Sequence, residues 1–179
     1  MGLFKWLNTL AFFRTWGRLG GIHGIIVMSV YRTGNFIYYK LKIPILRHVL
    51  WIFYRLVDLL VIRLFMNCEF PAQCQIGKNL KLPHGAKGIL LNPFAKIGND
   101  VTILHQVTLG QNKENRKAPE ICDYAYIGAG AKLLGGIRIG TYSKVGANAV
   151  VVESVPDHCT AVGVPSVVKS RHSRYSIHS

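Results

Sequence analysis

From Phe70 to Val151 a large apolar residue returns at six-residue intervals, a period that few folds can use. The register runs through Phe70, Ile76 and Leu82, slips by three, and resumes at Leu91, Ile97, Ile103 and Leu109. After a polar stretch it continues through Ile121, Ile127, Leu133, Ile139, Val145 and Val151. A half-buried strand alternates every second residue and an amphipathic helix repeats every three or four, so neither explains the spacing. Six-residue repeats mark a coiled solenoid, in which each hexapeptide forms one flat side and points its first residue inward. The expected fold is mainly β, a left-handed parallel β-helix over residues 67–168, with three hexapeptides to a turn. Gly77, Gly98, Gly128, Gly140 and Gly146 directly follow inward residues and are expected where the backbone turns without a Cβ.

Residues 1–66 follow another pattern, expected to be an amphipathic α-helical segment. Residues 3–18 mix Leu, Phe and Trp with Lys5, Arg14 and Arg18 and contain no acid, as in a helix lying in a membrane interface. Gly20 and Gly21 break that pattern. Residues 22–41 and 43–65 read as two more helices, separated near Pro44. In the second, Arg47, Arg55, Asp58 and Arg63 gather on one arc and aliphatics cover the rest. No uncharged stretch is long enough for a membrane span. Two expectations stand for this segment: peripheral attachment to an anionic inner-membrane surface, or a helical cap packed on the prism or between subunits of a trimer.

Twenty-two Lys and Arg against eight Asp and Glu give a net charge of +14, which favours anionic partners. Nucleic acid is disfavoured, because the cations are scattered among aliphatics without a nucleic-acid motif. Residues 169–179 form a basic tail. Cys68, Cys74, Cys122 and Cys159 form no CxxC pair and no cleavable signal precedes them, pointing to a reduced cytoplasmic setting.

A prism of this kind has no cleft of its own, so chemistry is sought where the repeat is interrupted. One interruption is Pro83-His84-Gly85-Ala86-Lys87-Gly88; the other is the polar loop Gln111 to Glu120, standing where a repeat residue near Asn115 would point inward. His84, in a glycine-rich bend, is the candidate base, histidine being suited to taking a proton at neutral pH. Glu69, fifteen residues upstream and about one coil below, is placed to orient its imidazole. His105 is the rival base or an acceptor contact. Only His84 and His105 lie in the prism proper, too few for the three-histidine zinc site of a γ-type carbonic anhydrase, and no metal is expected.

The phrases LPHGAKGILLNPFAKIGNDVTILHQVTLG, YIGAGAKLLGGIRIG, KVGANAVVVESVP and AVGVP carry a family resemblance. From Glu69 to Pro165 the chain resembles the hexapeptide acyltransferases of the serine acetyltransferase group, and within it the polysaccharide O-acetyltransferases typified by the colanic acid enzymes. The resemblance implies acetyl-CoA as co-substrate, His84 as general base and Glu69 as its partner. It also implies a homotrimer, with acetyl-CoA along the seam between subunits and its pantetheine arm following backbone at Gly110, Ala129 and Ala147. Lys113, Arg116, Lys117, Lys169 and Arg171 are candidates for the nucleotide phosphates, and Lys117 also for the acceptor.

Two departures shape the expected acceptor. Serine acetyltransferases usually carry Asp before the base and Arg-His-Pro in the polar loop; this chain has Pro83 and Lys117-Ala118-Pro119. Lys does not replace a bidentate arginine on a carboxylate. The expected activity is therefore O-acetylation of a sugar hydroxyl in a bacterial capsular or extracellular polysaccharide or its lipid-linked precursor, on the cytoplasmic face of the inner membrane. Serine O-acetylation is the enzymatic alternative, and a membrane-bound scaffold the non-catalytic one.

Overall fold

The computed structural model describes residues 17–111 and 117–170. The expected interfacial helix up to residue 16, the loop positions Lys113, Asn115 and Arg116, and Arg171 in the tail lie outside the described residues.

Three parallel sheets form the sides of a prism. Sheet I holds β1 (Gln75–Ile76), β3 (Lys96–Ile97), β6 (Glu120–Ile121) and β9 (Arg138–Ile139). Sheet II holds β2 (Leu90–Leu91), β5 (Thr108–Gly110), β8 (Lys132–Leu134) and β11 (Val150–Val151). Sheet III holds β4 (Thr102–Ile103), β7 (Tyr126–Ile127), β10 (Lys144–Val145) and β12 (Cys159–Val162). β13 (Val167–Ser170) returns antiparallel on β12 and carries the strand past the expected boundary at 168. Every residue of the hexapeptide register is buried, from Phe70 to Val151. A second inward row, including Ala95, Val101, Val107, Ala125, Ala131 and Ala149, fills the corners. Its residues are mostly small because three sides converge there and leave little volume.

The glycines after the inward residues act differently from the expectation. Gly77 and Gly128 do not adopt positive φ. A Cβ on Gly77 would stand 2.6 Å from Gly98 O, and one on Gly128 2.6 Å from Ala147 N. Close stacking of coil on coil requires them. The left-handed turns fall later in the repeat, on Asn79, Asp100, Gly130, Tyr142 and Asn148. Asn and Asp tolerate that region through short polar side chains that bond locally.

Helix α1 (Ile22–Tyr39) closes the N-terminal end of the prism. The first coil has no strand beneath it, so its backbone needs other partners. Tyr31 supplies two: its hydroxyl donates to Cys74 O (2.7 Å) and accepts from Ile76 N (3.1 Å). Arg32 donates to Ile76 O and Gly77 O, and Asn35 to Ala72 O. The expected helix over 43–65 forms as two pieces, α2 (Pro44–Val57) and a π-helical continuation, Asp58–Phe65. In an α-helix Arg63 would sit about 140° round from Asp58. The wider i→i+5 turn brings them together, with Arg63 Nε 3.0 Å from Asp58 Oδ2. Asp58 is 5% exposed, so this pairing removes the cost of an isolated buried charge.

Candidate active site

The two interruptions of the repeat sit on different edges of the prism. From Lys81, paired with Thr102, to Leu90, paired with Thr108, the lower coil spends three more residues than the upper one. The excess forms the Pro83–Gly88 bulge at the edge between sheets III and II. Gly85, Ala86 and Gly88 take positive φ there and fold the bulge tightly. Leu82 N donates to Arg18 O at 2.8 Å, tying the bulge to the N-terminal segment. A Cβ on Gly20 would overlap the backbone of Gly85 and Leu82, so bare glycine lets the two backbones touch.

His84 is exposed on this bulge, and its ring meets that of His105 edge to face at 4.9 Å. His105 occupies the same edge one coil up and is half-buried, with its Nδ1 enclosed and unpartnered. Above it Gly130 N donates to His105 O, and Asn148 N donates to Ala129 O. His84, His105, Ala129 and Ala147 therefore stand in one column. Ala129 and Ala147 stack one coil apart, as their spacing predicts, Ala129 half-buried and Ala147 exposed.

Glu69 lies under Leu90, at the start of sheet II beside this edge. Its carboxylate does not bond to His84. Glu69 Oε1 instead accepts from Arg63 Nη1 at 3.0 Å. Burial opposes the Arg63 charge, but the hydrogen bond to Asp58 and the charges of Glu69 and Asp58 outweigh it and raise the guanidinium above its ordinary range. Asp58 and Arg63 fall on the charged arc read from the sequence, but α-helical spacing sets them about 140° apart, so the Asp58–Arg63–Glu69 chain depends on the π-helical turn.

Gly110 and Lys117 belong to the opposite side of sheet II. Gly110 pairs with Leu134 and accepts from Gly135 N, and Lys117 packs over Gly136. Sheet II separates them from the histidines within one chain. Lys169 is exposed on β13, opposite Thr160. A groove of about 770 Å³ lies between α1 and sheet I and has no histidine in its lining. Volume and chemistry disagree here, and the chemistry marks the histidine edge. Among the described residues no three His, Cys, Asp or Glu side chains converge in a way that could hold a metal ion.

Comparison with known proteins bears on the acceptor. Residues 118–152 match the bacterial transferase hexapeptide (six repeats) family. A serine acetyltransferase of Staphylococcus xylosus is 40% identical over 116 residues, 64% of this chain and 53% of that protein. A solved serine acetyltransferase in complex with CoA superposes with a TM-score of 0.69 at 31% identity, covering 83% of this chain and 57% of the other. Soybean serine acetyltransferase complexed with serine gives 0.70 at 32% identity, covering 82% and 57%. The chain spans about half the length of the curated relatives it matches. These findings overturn the expected polysaccharide acceptor in favour of the serine alternative; they bear out the resemblance to the hexapeptide acyltransferases of the serine acetyltransferase group and lend no support to its colanic acid branch. Pro83, which argued for a sugar, is exposed on the bulge, whereas of Lys117-Ala118-Pro119 only Lys117 is exposed: Ala118 packs against the core and Pro119 is buried, its carbonyl accepting from Lys96 N. Residues 118–152 carry the bacterial transferase hexapeptide repeat, and over about four-fifths of its length the chain is similar in fold to the serine acetyltransferases.

Proposed function

We propose that this protein transfers an acetyl group from acetyl-CoA to the hydroxyl of L-serine, at the III–II edge of a left-handed coil. The observation that carries the proposal is the column of an exposed His84, His105, Ala129 and Ala147 on a fold similar to serine acetyltransferases solved with CoA and with serine.

With both substrates at the edge, the hydroxyl faces the thioester carbonyl and no covalent enzyme intermediate is needed. His84 takes the hydroxyl proton as oxygen bonds to the carbonyl carbon. The tetrahedral adduct collapses, the carbon–sulfur bond breaks, and the CoA thiolate takes the proton from the imidazolium. Glu69 is held by Arg63 at the foot of the same edge. The small Ala129 and Ala147 let the pantetheine arm lie against backbone.

The active assembly is a homotrimer. Support comes from the split of the site over two edges: in one chain sheet II keeps Gly110 and Lys117 away from His84, and a second copy sets its own loop edge against the first copy's histidines. The cytoplasm is the setting, in keeping with four free cysteines and a CoA thioester donor.

The test is release of CoA thiol from acetyl-CoA with L-serine, comparing the purified protein with His84→Ala. Turnover with L-serine that His84→Ala abolishes supports the proposal. Turnover with other hydroxyl acceptors and none with L-serine overturns it. Light scattering that reports a monomer at working concentration overturns the trimer.

A further inference from the structure

Helix α2 is exposed almost all the way round. Of its fourteen residues only Tyr54 is buried. At about 100° per residue, Ile45, Leu46, Val49, Ile52, Phe53 and Leu56 fall within one arc of about 120° that contains no charge. All six are exposed, Ile45 by 82%, Ile52 by 71% and Phe53 by 65%. Arg47, His48 and Arg55 lie outside the arc, and Arg55 and His48 border it. An apolar groove of about 480 Å³ between α1 and α2, lined by Val30, Phe36, Leu50 and Phe53 among others, opens next to this face. No helix among the described residues is long and apolar enough to cross a membrane.

We propose that the α2 face docks the protein on an anionic lipid surface, with the apolar arc in the acyl–headgroup boundary and the bordering Arg55 on lipid phosphate. Charge selects this occupant over a second copy of the chain. Residues 1–66 contain nine Lys and Arg and a single acid, Asp58. That acid is buried and paired with Arg63, so it offers nothing to a facing surface. Two such units packed face to face would bring like charges together, whereas an anionic bilayer neutralises them and covers the apolar arc. Helices with a broad apolar stripe and cations at its border lie in the interface plane rather than across it.

The experiment is co-sedimentation of the full chain with vesicles of phosphatidylcholine alone, and of phosphatidylcholine with about one-third phosphatidylglycerol, at low and high salt. The wild type is expected to partition about tenfold more strongly to the anionic vesicles, and the preference to weaken with salt. Ile52→Asp/Leu56→Asp is expected to lose about tenfold or more of that partition, and Arg55→Glu, at the border of the arc, to weaken the anionic preference. These side chains project into solvent, so the thermal melt should hold; Ile45→Gln/Ile52→Gln is the milder variant should the aspartates disturb folding. Equal partition to both vesicle types overturns the proposal. So does undiminished binding by folded α2 variants, which places the docking element elsewhere, or a drop in wild-type oligomeric state on substitution, which gives the face to a second copy. Binding is read independently of acetyl transfer, so failure of the serine assignment leaves this result standing.

Discussion

The rings of His84 and His105 meet edge to face, with centroids 4.9 Å apart and planes at 86°, although the residues lie on successive coils. The three-residue bulge swings His84 outward while His105 stays in the regular coil. One imidazole is thereby exposed to substrate and the other half-enclosed. His84→Ala is expected to lower kcat/KM for L-serine by about 10²–10⁴, the usual range for a lost general base, with little change in melting temperature. His105→Ala should cost less. The reverse order in CoA-release kinetics would make His105 the base.

Arg63 joins the buried Asp58 to Glu69 at the foot of the same edge. Replacing it with Met leaves the Asp58 carboxylate buried and unpaired, an expected loss of about 3 kcal/mol in urea unfolding. Adding Asp58→Asn should recover most of that loss, since the stranded charge is then gone. A double variant no more stable than Arg63→Met would show that packing of the arginine stem, rather than charge, sets the cost.

Burial pushes the Cys68 and Cys74 thiols from 9.0 up to about 12, with nearby acids adding to the effect at Cys68. Burial likewise raises Tyr31 and Tyr54 from 10.0 to about 12. In each case the folded state holds the proton more tightly than the unfolded chain. Stability from these groups is fully present below pH 9, the lower of the unfolded values, and is lost as pH climbs toward 12. Thermal melts should fall steadily over that window, and Cys74→Ala should shallow the slope. An unchanged slope in that variant would remove Cys74 from the account.

Gly20 touches the backbone of the bulge that carries His84, and its φ is +65°. Gly20→Ala introduces both an overlap and an unfavourable backbone conformation, and is expected to cost about 1–3 kcal/mol. The bulge is the part that yields, so kcat for serine acetylation should drop more than in a variant of equal instability placed at the far end of the prism, such as Val155→Ala. Equal losses of kcat in the two would reduce Gly20 to a structural contact.

Much of the prism was legible because a solenoid writes its geometry locally. Each inward residue from Phe70 to Val151 is followed six residues on by another wherever the coil is regular, and each is buried. The bulge and the polar loop were visible as breaks in that period, which drew attention to His84. The glycines were located correctly but for a different reason, since close stacking of neighbouring coils is not expressed in the φ angles of a single repeat. The acceptor was misjudged from Pro83 and Lys117-Ala118-Pro119, because two short motifs say less than the similarity that extends over most of the coil.

The sequence by itself determined the six-residue period, the inward register and the positions of its interruptions, all of which follow from local spacing. Tertiary structure decided what the period cannot encode. It placed His105 against His84, set Gly110 and Lys117 on another edge, turned Asp58–Phe65 into a π-helix so that Arg63 could reach both Asp58 and Glu69, and left the α2 apolar arc uncovered. These relations join residues through coil stacking and helix winding, where small changes of turn and register, rather than residue type, decide which side chains meet.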